Sequence, residues 1–250
     1  MLKVDLHIHT ADDPSDRIPY QTDELIDRAA ELGFDCIAIT LHDRQLDVET
    51  FRPYAALRRI VLLPGIERTI EGRHVLLLNY SRAAESVDSF EALARLRQRE
   101  RGLVIAPHPF FPAFSALRGA LTRHAHLFDA VEWNGMFTRT MNFNALAERW
   151  ADRHRKPLVG NGDVHRLEQL GTTYSLVDAE PNPAAICEAI AAGRVRVVAT
   201  PHSTFTAARL MVDLVASTFL PRAVNANDTE RTIRTPRPIR TTRTIYSSTD

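Results

Sequence analysis

Nine short apolar segments alternate with amphipathic stretches along the chain, and this alternation restricts the possible folds more than any other feature. The predicted strands are KVDLHIH, CIAIT, IVLLPGIE, HVLLLNY, LVIAPH, AVEWNG, PLVGNGD, TYSLVD and VRVVAT. Strands separated by helices favour an α/β fold with a mostly parallel sheet and right-handed crossovers. With this many units in one domain, we expect a closed barrel rather than an open sheet.

The stretches between the strands carry helix start and stop signals. TDELIDRAAELG is predicted to begin with Thr22 as N-cap and to stop at Gly33. DSFEALARLRQRERG starts with Asp88 and has Glu91 three residues later, as in a capping box. MNFNALAERWADRH has apolar residues at helical spacing, and NPAAICEAIAAGRV stops at Gly193. These four segments are the predicted crossover helices.

Bulk composition sets limits on partners and location. The 250 residues are 44% hydrophobic and carry 31 basic and 31 acidic side chains, so net charge gives no reason to expect a nucleic acid or a membrane as partner. Cys36 and Cys187 form no C-x-x-C pair and are expected to be buried thiols. The first residues lack the pattern of a signal peptide. We therefore expect a soluble, cytoplasmic protein with no membrane association and no obligate protein partner.

The composition changes near residue 220, which predicts a domain over residues 1–220 and a separate tail over 221–250. The tail is rich in Thr, Arg and Pro, with an Arg at every third position from 231 to 243. Such a segment has too little apolar surface to offset its ordering entropy, so we expect it to be disordered. The alternative is a basic arm that contacts phosphates.

Histidine and carboxylate residues recur where the predicted strands end. They are His7 and His9, His42 and Asp43, Glu67, His108, Glu132 with Asn134, and Asp163 with His165. His74 instead precedes its apolar segment, so its strand must run differently or the side chain must reach over. In a parallel barrel the carboxyl ends of the strands share one face. We therefore expect these side chains to meet in one pocket.

These residue types point to a metal site. Imidazole and carboxylate ligands without thiolate suit Zn, Mn, Fe, Co or Ni. About eight candidate ligands are available, which is enough for two or three ions. Without a counter-ion, such crowding would cost several kcal/mol for each uncompensated charge.

In this order, the motifs DLHIHT, ITLHD, PGIE, APHP, VEWNG and GDVH resemble those of the PHP (polymerase and histidinol phosphatase) superfamily of metal-dependent phosphoesterases. The resemblance covers about residues 1–200. It implies a distorted (β/α)7 TIM-like barrel with a metal site at its C-terminal face. The implied cofactors are two or three divalent ions, Mn, Zn or Fe.

The resemblance also implies a ligand set, in which Glu67 bridges two ions. The matching positions are His7, His9, Asp16, His42, Glu67, His74, His108, Asp163 and His165. The loop ADDPSDRIPY offers Asp12, Asp13 and Asp16, of which Asp16 is preferred.

Two positions depart from the family pattern. Leu41 stands where the family usually has Asp, which removes a carboxylate that would orient His42, although Asp43 remains. Gly162 stands in the commonly S-D-A-H closing motif and loses a hydroxyl. Neither change removes an expected ligand, so an inactive relative is not indicated.

The expected reaction is hydrolysis of a phosphate ester by a metal-bridging hydroxide. The expected catalytic residues are His42, Asp43 and His202, and the candidate phosphate contacts are Arg17, Arg44 and Arg166. The partner would be a small phosphorylated substrate, with a nucleotide or an oligonucleotide end as alternatives.

Two other functions fit parts of the sequence. An amidohydrolase would also begin with H-x-H, but it typically needs a metal-bridging lysine, and Lys3 and Lys156 are not placed for that role. A non-catalytic PHP module would bind nucleic acid through the tail. In the loop HPFFPAFSALRG, Phe110, Phe111 and Phe114 would stack a base or form a hydrophobic lid.

Overall fold

The computed structural model describes residues 1–219. The tail proposed over residues 221–250 lies outside the described residues. The strands are β1 Leu2–Ile8, β2 Cys36–Ile39, β3 Val61–Ile70, β4 Arg73–Leu78, β5 Leu103–Ala106, β6 Ala130–Asn134, β7 Leu158–Asn161, β8 Thr173–Val177 and β9 Val195–Ala199. The helices are α1 Thr22–Glu31, α2 Val48–Ala56, α3 Phe90–Arg99, α4 Gly119–Arg123, α5 Asn144–His154, α6 Pro183–Ala191 and α7 Thr204–Phe219. Every predicted strand is confirmed, with ends shifted by a few residues.

The strands form one nearly closed sheet in the order β7-β6-β5-β4-β3-β2-β1-β8-β9. Closure comes after β7, where the backbone of Val164 accepts from the amide of His9 at 3.0 Å and donates to the carbonyl of His7 at 3.1 Å. The first half of β1 pairs instead with β8. One edge of β1 therefore pairs with β8 in its first half and with Val164, just after β7, at its end. The expected TIM-like α/β barrel is present.

The barrel differs from the expected (β/α)7 form in strand number and direction. It has nine strands, and β4, β8 and β9 run antiparallel to their neighbours. The connection from β3 to β4 explains the first reversal. Glu71 and Gly72, between the paired residues Ile70 and Arg73, have φ of 49° and 73°. Positive φ at both central residues is the signature of a tight hairpin turn. His74 therefore precedes its apolar segment because β4 runs in the opposite direction.

Two predicted helix caps are wrong by one residue. The N-cap of α1 is Gln21, which forms a capping box with Glu24, while the Thr22 hydroxyl donates to Asp12 at 2.8 Å. The N-cap of α3 is Ser89, whose hydroxyl accepts from the backbone of Ala92. In both cases the neighbouring residue supplies the acceptor that the first turn of a helix requires.

An apolar core fills the barrel at the end opposite the strand carboxyl termini. Side chains from β1 to β8, such as Leu63 and Val159, pack there with Ile186 and Ile190 of α6. α6 contacts β3, β5 and β8. Cys36 and Cys187 are buried free thiols, as expected. This end provides the rigid base for the polar end.

Within residues 1–219, no helix combines the length and apolar character needed to cross a bilayer.

Candidate metal centre

A β-bulge in β1 brings the two histidines of the H-x-H motif into the barrel. From Asp5 to Ile8, β1 advances by three residues, whereas the paired residues of β2 advance by only two, from Ile37 to Ile39. Leu6 consequently packs in the apolar core, while its neighbour His7 lies 3.3 Å from the Glu67 carboxylate. Strict alternation would have placed these two side chains on opposite faces. Bulges often redirect a side chain next to a functional site.

Glu67 is the centre of the cluster, because its two carboxylate oxygens contact different histidines. Oε2 lies 3.3 Å from His7 Nε2, 3.4 Å from His9 Nε2 and 3.1 Å from His42 Nε2. Oε1 lies 2.7 Å from His74 Nδ1 and 3.0 Å from His108 Nε2. The side chain is 1% exposed. Glu67 thus separates two groups of imidazoles, one at each oxygen.

Asp163 and His165 extend the group at Oε2. The Asp163 Oδ1 atom lies 3.4 Å from His7 Nε2 and 3.5 Å from His165 Nδ1. Sets of three potential ligand atoms lie within 4.8 Å of one another, and these include His7, His9 and Glu67, and His42, Glu67 and His74. All nine residues expected as ligands are brought to one place.

Asp13 and Asp16 occupy different positions around His42. Asp13 is fully buried, and its Oδ2 atom lies 2.9 Å from His9 Nδ1 and 3.1 Å from His42 Nδ1. Asp16 Oδ2 lies 3.1 Å from His165 Nε2 and 3.8 Å from His42 Nδ1, and Asp16 lines the open cavity. Asp16 therefore faces the cavity, while Asp13 holds two imidazole rings from behind.

The donor set fits divalent metal ions, and the buried nitrogen atoms are the evidence. His7 Nε2, His9 Nε2, His74 Nδ1 and His108 Nδ1 are buried and have no hydrogen-bond partner. A buried polar atom without a partner costs free energy unless something satisfies it. At three of these atoms a carboxylate oxygen lies 2.7 to 3.4 Å away without hydrogen-bond geometry. A metal cation between them would interact favourably with both the imidazole nitrogen and the carboxylate oxygen.

A second set of polar groups orients these side chains. Glu132 is completely buried, and its Oε1 atom lies 2.8 Å from His7 Nδ1. Asn161 donates to that oxygen at 3.0 Å. Asn134 donates to the other Glu132 oxygen and to Asp163 Oδ2, at 3.1 Å and 3.0 Å. Such contacts fix the tautomer and ring orientation of a metal-binding histidine.

The protonation equilibria of the cluster are coupled. Burial by itself lowers the pKa of His7, but the carboxylates of Asp163, Glu132 and Glu67 outweigh it and raise that pKa well above the ordinary value. Burial by itself raises the pKa of Glu67, but the surrounding imidazoles hold it well below its usual range. The same balance raises the pKa of four further histidines: His9, His42, His108 and His165.

Three residues at the strand ends have a left-handed backbone that is uncommon for residues with a Cβ. The φ angles are 54° at Asp43, 29° at His108 and 49° at Asp163. Such conformations cost about 1–3 kcal/mol each and cluster at functional sites. They are maintained here because the side chains are anchored, for example by the bond from Asn134 to Asp163.

The remaining expected site residues lie in different places. Asp43 borders the cavity but accepts from Arg68 Nη1 at 2.6 Å and from the amide of Thr69 at 2.7 Å. His202 is not among the residues that line the cavity, and its backbone pairs with Thr138. The catalytic role expected for His202 therefore has no geometric basis in the described residues.

The three arginines proposed to contact phosphate also differ. Arg17 lines the cavity and makes no hydrogen bond or ion pair within residues 1–219. Arg166 lines the cavity and donates to Asp213 Oδ2 at 3.1 Å. Arg44 donates to the carbonyl of Asp12 and is not among the lining residues. Only Arg17 and Arg166 are thus placed for substrate.

The two departures from the family pattern have local explanations. Leu41 is fully buried in an apolar cluster, and Asp13 supplies the carboxylate beside His42 instead. At Gly162 an added Cβ would lie 2.8 Å from Asp5 Oδ2 of β1. The Gly162 amide also donates to Asp5 at 3.1 Å. The close approach of this backbone to β1 therefore favours glycine.

Sequence reasoning missed the polar groups behind the ligands. Glu132 and Asn134 were noted at a strand end without a role, and Asp5 and Asn161 were not noted. Burial raises the pKa of Asp5 to about 7, although it accepts backbone amides of Gly162 and His7. The signal available in the sequence was a polar residue inside an apolar strand.

Neither lysine enters the site. Lys3 Nζ donates to the carbonyl of Leu32 at 2.8 Å and lies over the rings of Phe34 and Tyr174. Lys156 directly precedes the β7 region. The bridging lysine that an amidohydrolase typically needs is therefore absent from this cluster.

A PHP-associated family model matches residues 142–195. No curated protein sequence matches the chain at a significant level.

Solved structures with the same fold were also found. A two-domain Bacteroides vulgatus protein containing a predicted PHP-like metal-dependent phosphoesterase is 20% identical, with a TM-score of 0.64 over 79% of this chain and 64% of that one. PsfC from Pseudomonas syringae is 17% identical, with a TM-score of 0.60 over 86% and 97% of the two chains. The lesion-specific endonuclease Q of Pyrococcus furiosus is 14% identical, with a TM-score of 0.53 over 84% and 66%.

The chain spans less than two thirds of the length of the Bacteroides protein. At these identities the solved structures show the fold. The family match over residues 142–195, the barrel fold and the ordered motifs agree with one another and support membership of the PHP superfamily.

Proposed function

We propose that this protein is a metal-dependent phosphoesterase that hydrolyses phosphate monoesters. The observation that carries the proposal is that three buried histidine nitrogens without hydrogen-bond partners, on His7, His9 and His74, converge on the two oxygens of Glu67. Bound divalent ions supply Lewis acidity that neutralises phosphate oxygens and makes a nucleophile available at neutral pH. Mn, Zn and Fe all suit this ligand chemistry.

Three groups of residues would hold two or three ions. His7, His9 and Asp163 form the first group with one oxygen of Glu67, and His74 and His108 form the second with the other oxygen. Asp16, His42 and His165 form the third. Asp13 would hold the His9 ring, and Glu132 would hold the His7 ring, each by its contact with the Nδ1 atom of that imidazole. Glu67 would bridge the first two ions.

The chain's own residues would also bind and orient the substrate. Among the described residues that line the cavity, Arg17 is the guanidinium group without a partner, so it is placed to contact a phosphate oxygen. In the overall reaction a water oxygen bonds to phosphorus, the bond to the ester oxygen breaks, and the leaving oxygen takes a proton. The products are inorganic phosphate and an alcohol.

A phosphodiester in nucleic acid is the second candidate substrate. It is favoured by the shared fold with endonuclease Q, a lesion-specific endonuclease. Long nucleic acids are usually bound through many cationic contacts. Of the described residues that line the cavity, only Arg17 and Arg166 are cationic in every protonation state, and Arg166 is paired with Asp213. Charge at the cavity therefore favours a monoester.

The first experiment is elemental analysis of protein purified without chelator or histidine tag. We expect two to three equivalents of Mn, Fe or Zn per chain. Phosphate release from a set of monoesters, a diester and an abasic-site duplex should then identify the ester class. Loss of activity with chelator and its return with one of these ions would support the proposal. No bound metal after reconstitution with all three ions would overturn it.

A further inference from the structure

We infer that the preferred substrate is a monoester whose alcohol portion is apolar and flat, such as an aryl phosphate. This inference rests on the proposed phosphoesterase function and specifies its substrate class. The cavity above the metal centre has a volume of about 400 Å³, which is enough for a small aromatic ester. Its floor is polar, but two of its walls are apolar.

The first wall comes from the loops that follow β5 and β6. Phe111, Ala113 and Met136 line the cavity on this side. The Phe111 ring packs edge-to-face against Phe143, with 5.6 Å between ring centroids. Side chains at positions 111 and 113 face the cavity, whereas Phe114, in the same loop, is 99% exposed and is not among the lining residues. Phe111 is therefore placed by packing to contact the body of a substrate.

This wall is preformed because the loop is tied at both ends. The Arg118 amide donates to the carbonyl of Pro109 at 2.9 Å, and the His74 amide donates to the carbonyl of Ser115 at 2.9 Å. Arg73 Nη1 donates to the carbonyl of Ala116 at 3.0 Å. A preformed apolar wall binds a flat ring without the cost of ordering a loop.

The second wall comes from the loop after β1 and from α7. Ile18, Leu210 and Leu214 line the cavity on this side. Leu210 is 3% exposed, whereas Phe205 and Val212 of the same helix are exposed. Two ion pairs hold α7 in place, Arg166 with Asp213 and Arg209 with Glu168. α7 thus turns apolar side chains toward the space above the metal centre.

The charge of the lining agrees with one phosphate group on an uncharged body. Arg17 is the single guanidinium group among the described lining residues without a carboxylate partner. A substrate with a second phosphate or a charged alcohol would place that group against the apolar walls, where it would lose hydration. An aromatic or branched apolar group would instead displace water from both walls.

The test compares two monoesters, 1-naphthyl phosphate and glycerol 3-phosphate, with the metal-loaded protein. We expect kcat/KM to be at least about tenfold higher for 1-naphthyl phosphate. Phe111→Ala should lower kcat/KM for this ester by about tenfold and should change it less than twofold for glycerol 3-phosphate. The matched control is Phe114→Ala, which removes a ring outside the cavity and should change neither value. Activity on glycerol 3-phosphate also reports that each variant is folded.

Binding of two phosphonates that cannot be hydrolysed gives a readout independent of turnover. By calorimetry, phenylphosphonate should bind at least about tenfold more tightly than methylphosphonate, and Phe111→Ala should remove most of the difference. Equal binding of the two phosphonates, or equal losses for both esters in Phe111→Ala, would overturn this inference and leave the phosphoesterase proposal intact. Absence of hydrolysis of any phosphoester would overturn the proposed function itself.

Discussion

The two ends of the barrel contrast in what they bury. At the carboxyl ends of the strands, His7, His9 and Glu67 are almost completely buried among further imidazoles and carboxylates. At the other end, β-strand side chains such as Leu63 pack with α6 in an apolar core that also holds the thiols of Cys36 and Cys187. Burying charge costs free energy, whereas burying apolar surface provides it. The apolar end therefore stabilises a fold in which the polar end is costly without its ions.

The sharpest test of this contrast is Glu67→Gln. The amide keeps the shape of the side chain but removes the charge that faces five imidazoles. We expect activity to fall by on the order of 10³-fold or more, because metal-ion stabilisation is worth several kcal/mol. Metal content should fall with it. Elemental analysis and phosphate release measure both effects.

The control for that variant is Glu91→Gln, at a surface glutamate whose side chain is 82% exposed. It should leave both values unchanged. Full metal content in Glu67→Gln, with activity within tenfold of the parent, would refute the central position of Glu67.

The opposite end is tested by Leu63→Ala. Leu63 is fully buried, so truncation should reduce the free energy of unfolding by about 2–5 kcal/mol through lost burial and a cavity. Metal equivalents per chain should not change in the folded protein. Urea unfolding checks the first expectation and elemental analysis checks the second. Leu57→Ala, at a side chain that is 69% exposed, should cost little, and an equal loss there would contradict this explanation.

The sequence pattern was sufficient for the positions of the strands, because apolar runs of four to eight residues identify buried strands. His74 before its run left two alternatives open, a reversed strand or a side chain that reaches over, and the structure shows the reversed strand. The nine-stranded barrel and its mixed direction were not predicted, because Glu71-Gly72 was not recognised as a hairpin turn. Hairpins of two residues depend on backbone φ values that only a few residue pairs signal.

Most of the expected ligand positions were predictable because they stand where apolar runs end, whereas His74 precedes its run and Asp16 lies in a loop. The bulge in β1 was not predictable, since alternation in KVDLHIH places Leu6 opposite His7. The shifted register with β2, the packing of Leu6 in the core and the contact of His7 with Glu67 reveal it. The roles of Asp13 and Asp16 depend on the path of an irregular loop. The position of His202 depends on its pairing with Thr138, a contact between distant residues without a sequence signal.

Glu132→Gln tests whether the polar end also depends on the groups that orient its histidines. The carboxylate of Glu132 accepts from the amide of His108 and from the side chain of Asn161, and it contacts His7 Nδ1. We expect metal affinity to decrease about 10–100-fold with the fold retained. Competition with a chelator of known affinity measures the change. Glu168→Gln, at a surface ion pair with Arg209, is the matched control, and equal affinities in both variants would contradict the orienting role.

The pH dependence of stability should differ in direction between metal-free and metal-loaded protein. The raised pKa values of His7, His9 and His42 stabilise the metal-free fold fully below their ordinary value of 6.5, and this stabilisation is lost as pH rises through the folded-state values. The lowered pKa of Glu67 stabilises the metal-free fold above pH 4.5, the ordinary pKa of glutamate. That contribution is lost as pH falls through the folded-state value.

Metal-free protein should therefore have its highest Tm between about pH 4.5 and 6.5 and should lose stability above 6.5. Metal binding requires neutral imidazoles, so the stabilisation given by metal should increase over the same range. Calorimetric scans with and without chelator from pH 5 to 8.5 measure both curves. If Tm changed with pH in the same way with and without chelator, the cluster would not be the site that binds the metal.

The smallest expected effect concerns backbone strain away from the polar end. Arg155 ends α5 with φ of 52° and ψ of 44°, a left-handed conformation like that of Asp163, but no contact with the cluster holds it. Arg155→Gly should raise the free energy of unfolding by about 0.5–1 kcal/mol, because glycine adopts this conformation without strain. Arg149→Gly, at an exposed position inside the same helix, should lower it by roughly 1 kcal/mol. Equal shifts in the two variants would mean that the left-handed residue is not strained. Activity should be unchanged in both. Asp163→Gly would relieve similar strain but should abolish metal binding, because at the polar end the same backbone conformation positions a proposed ligand.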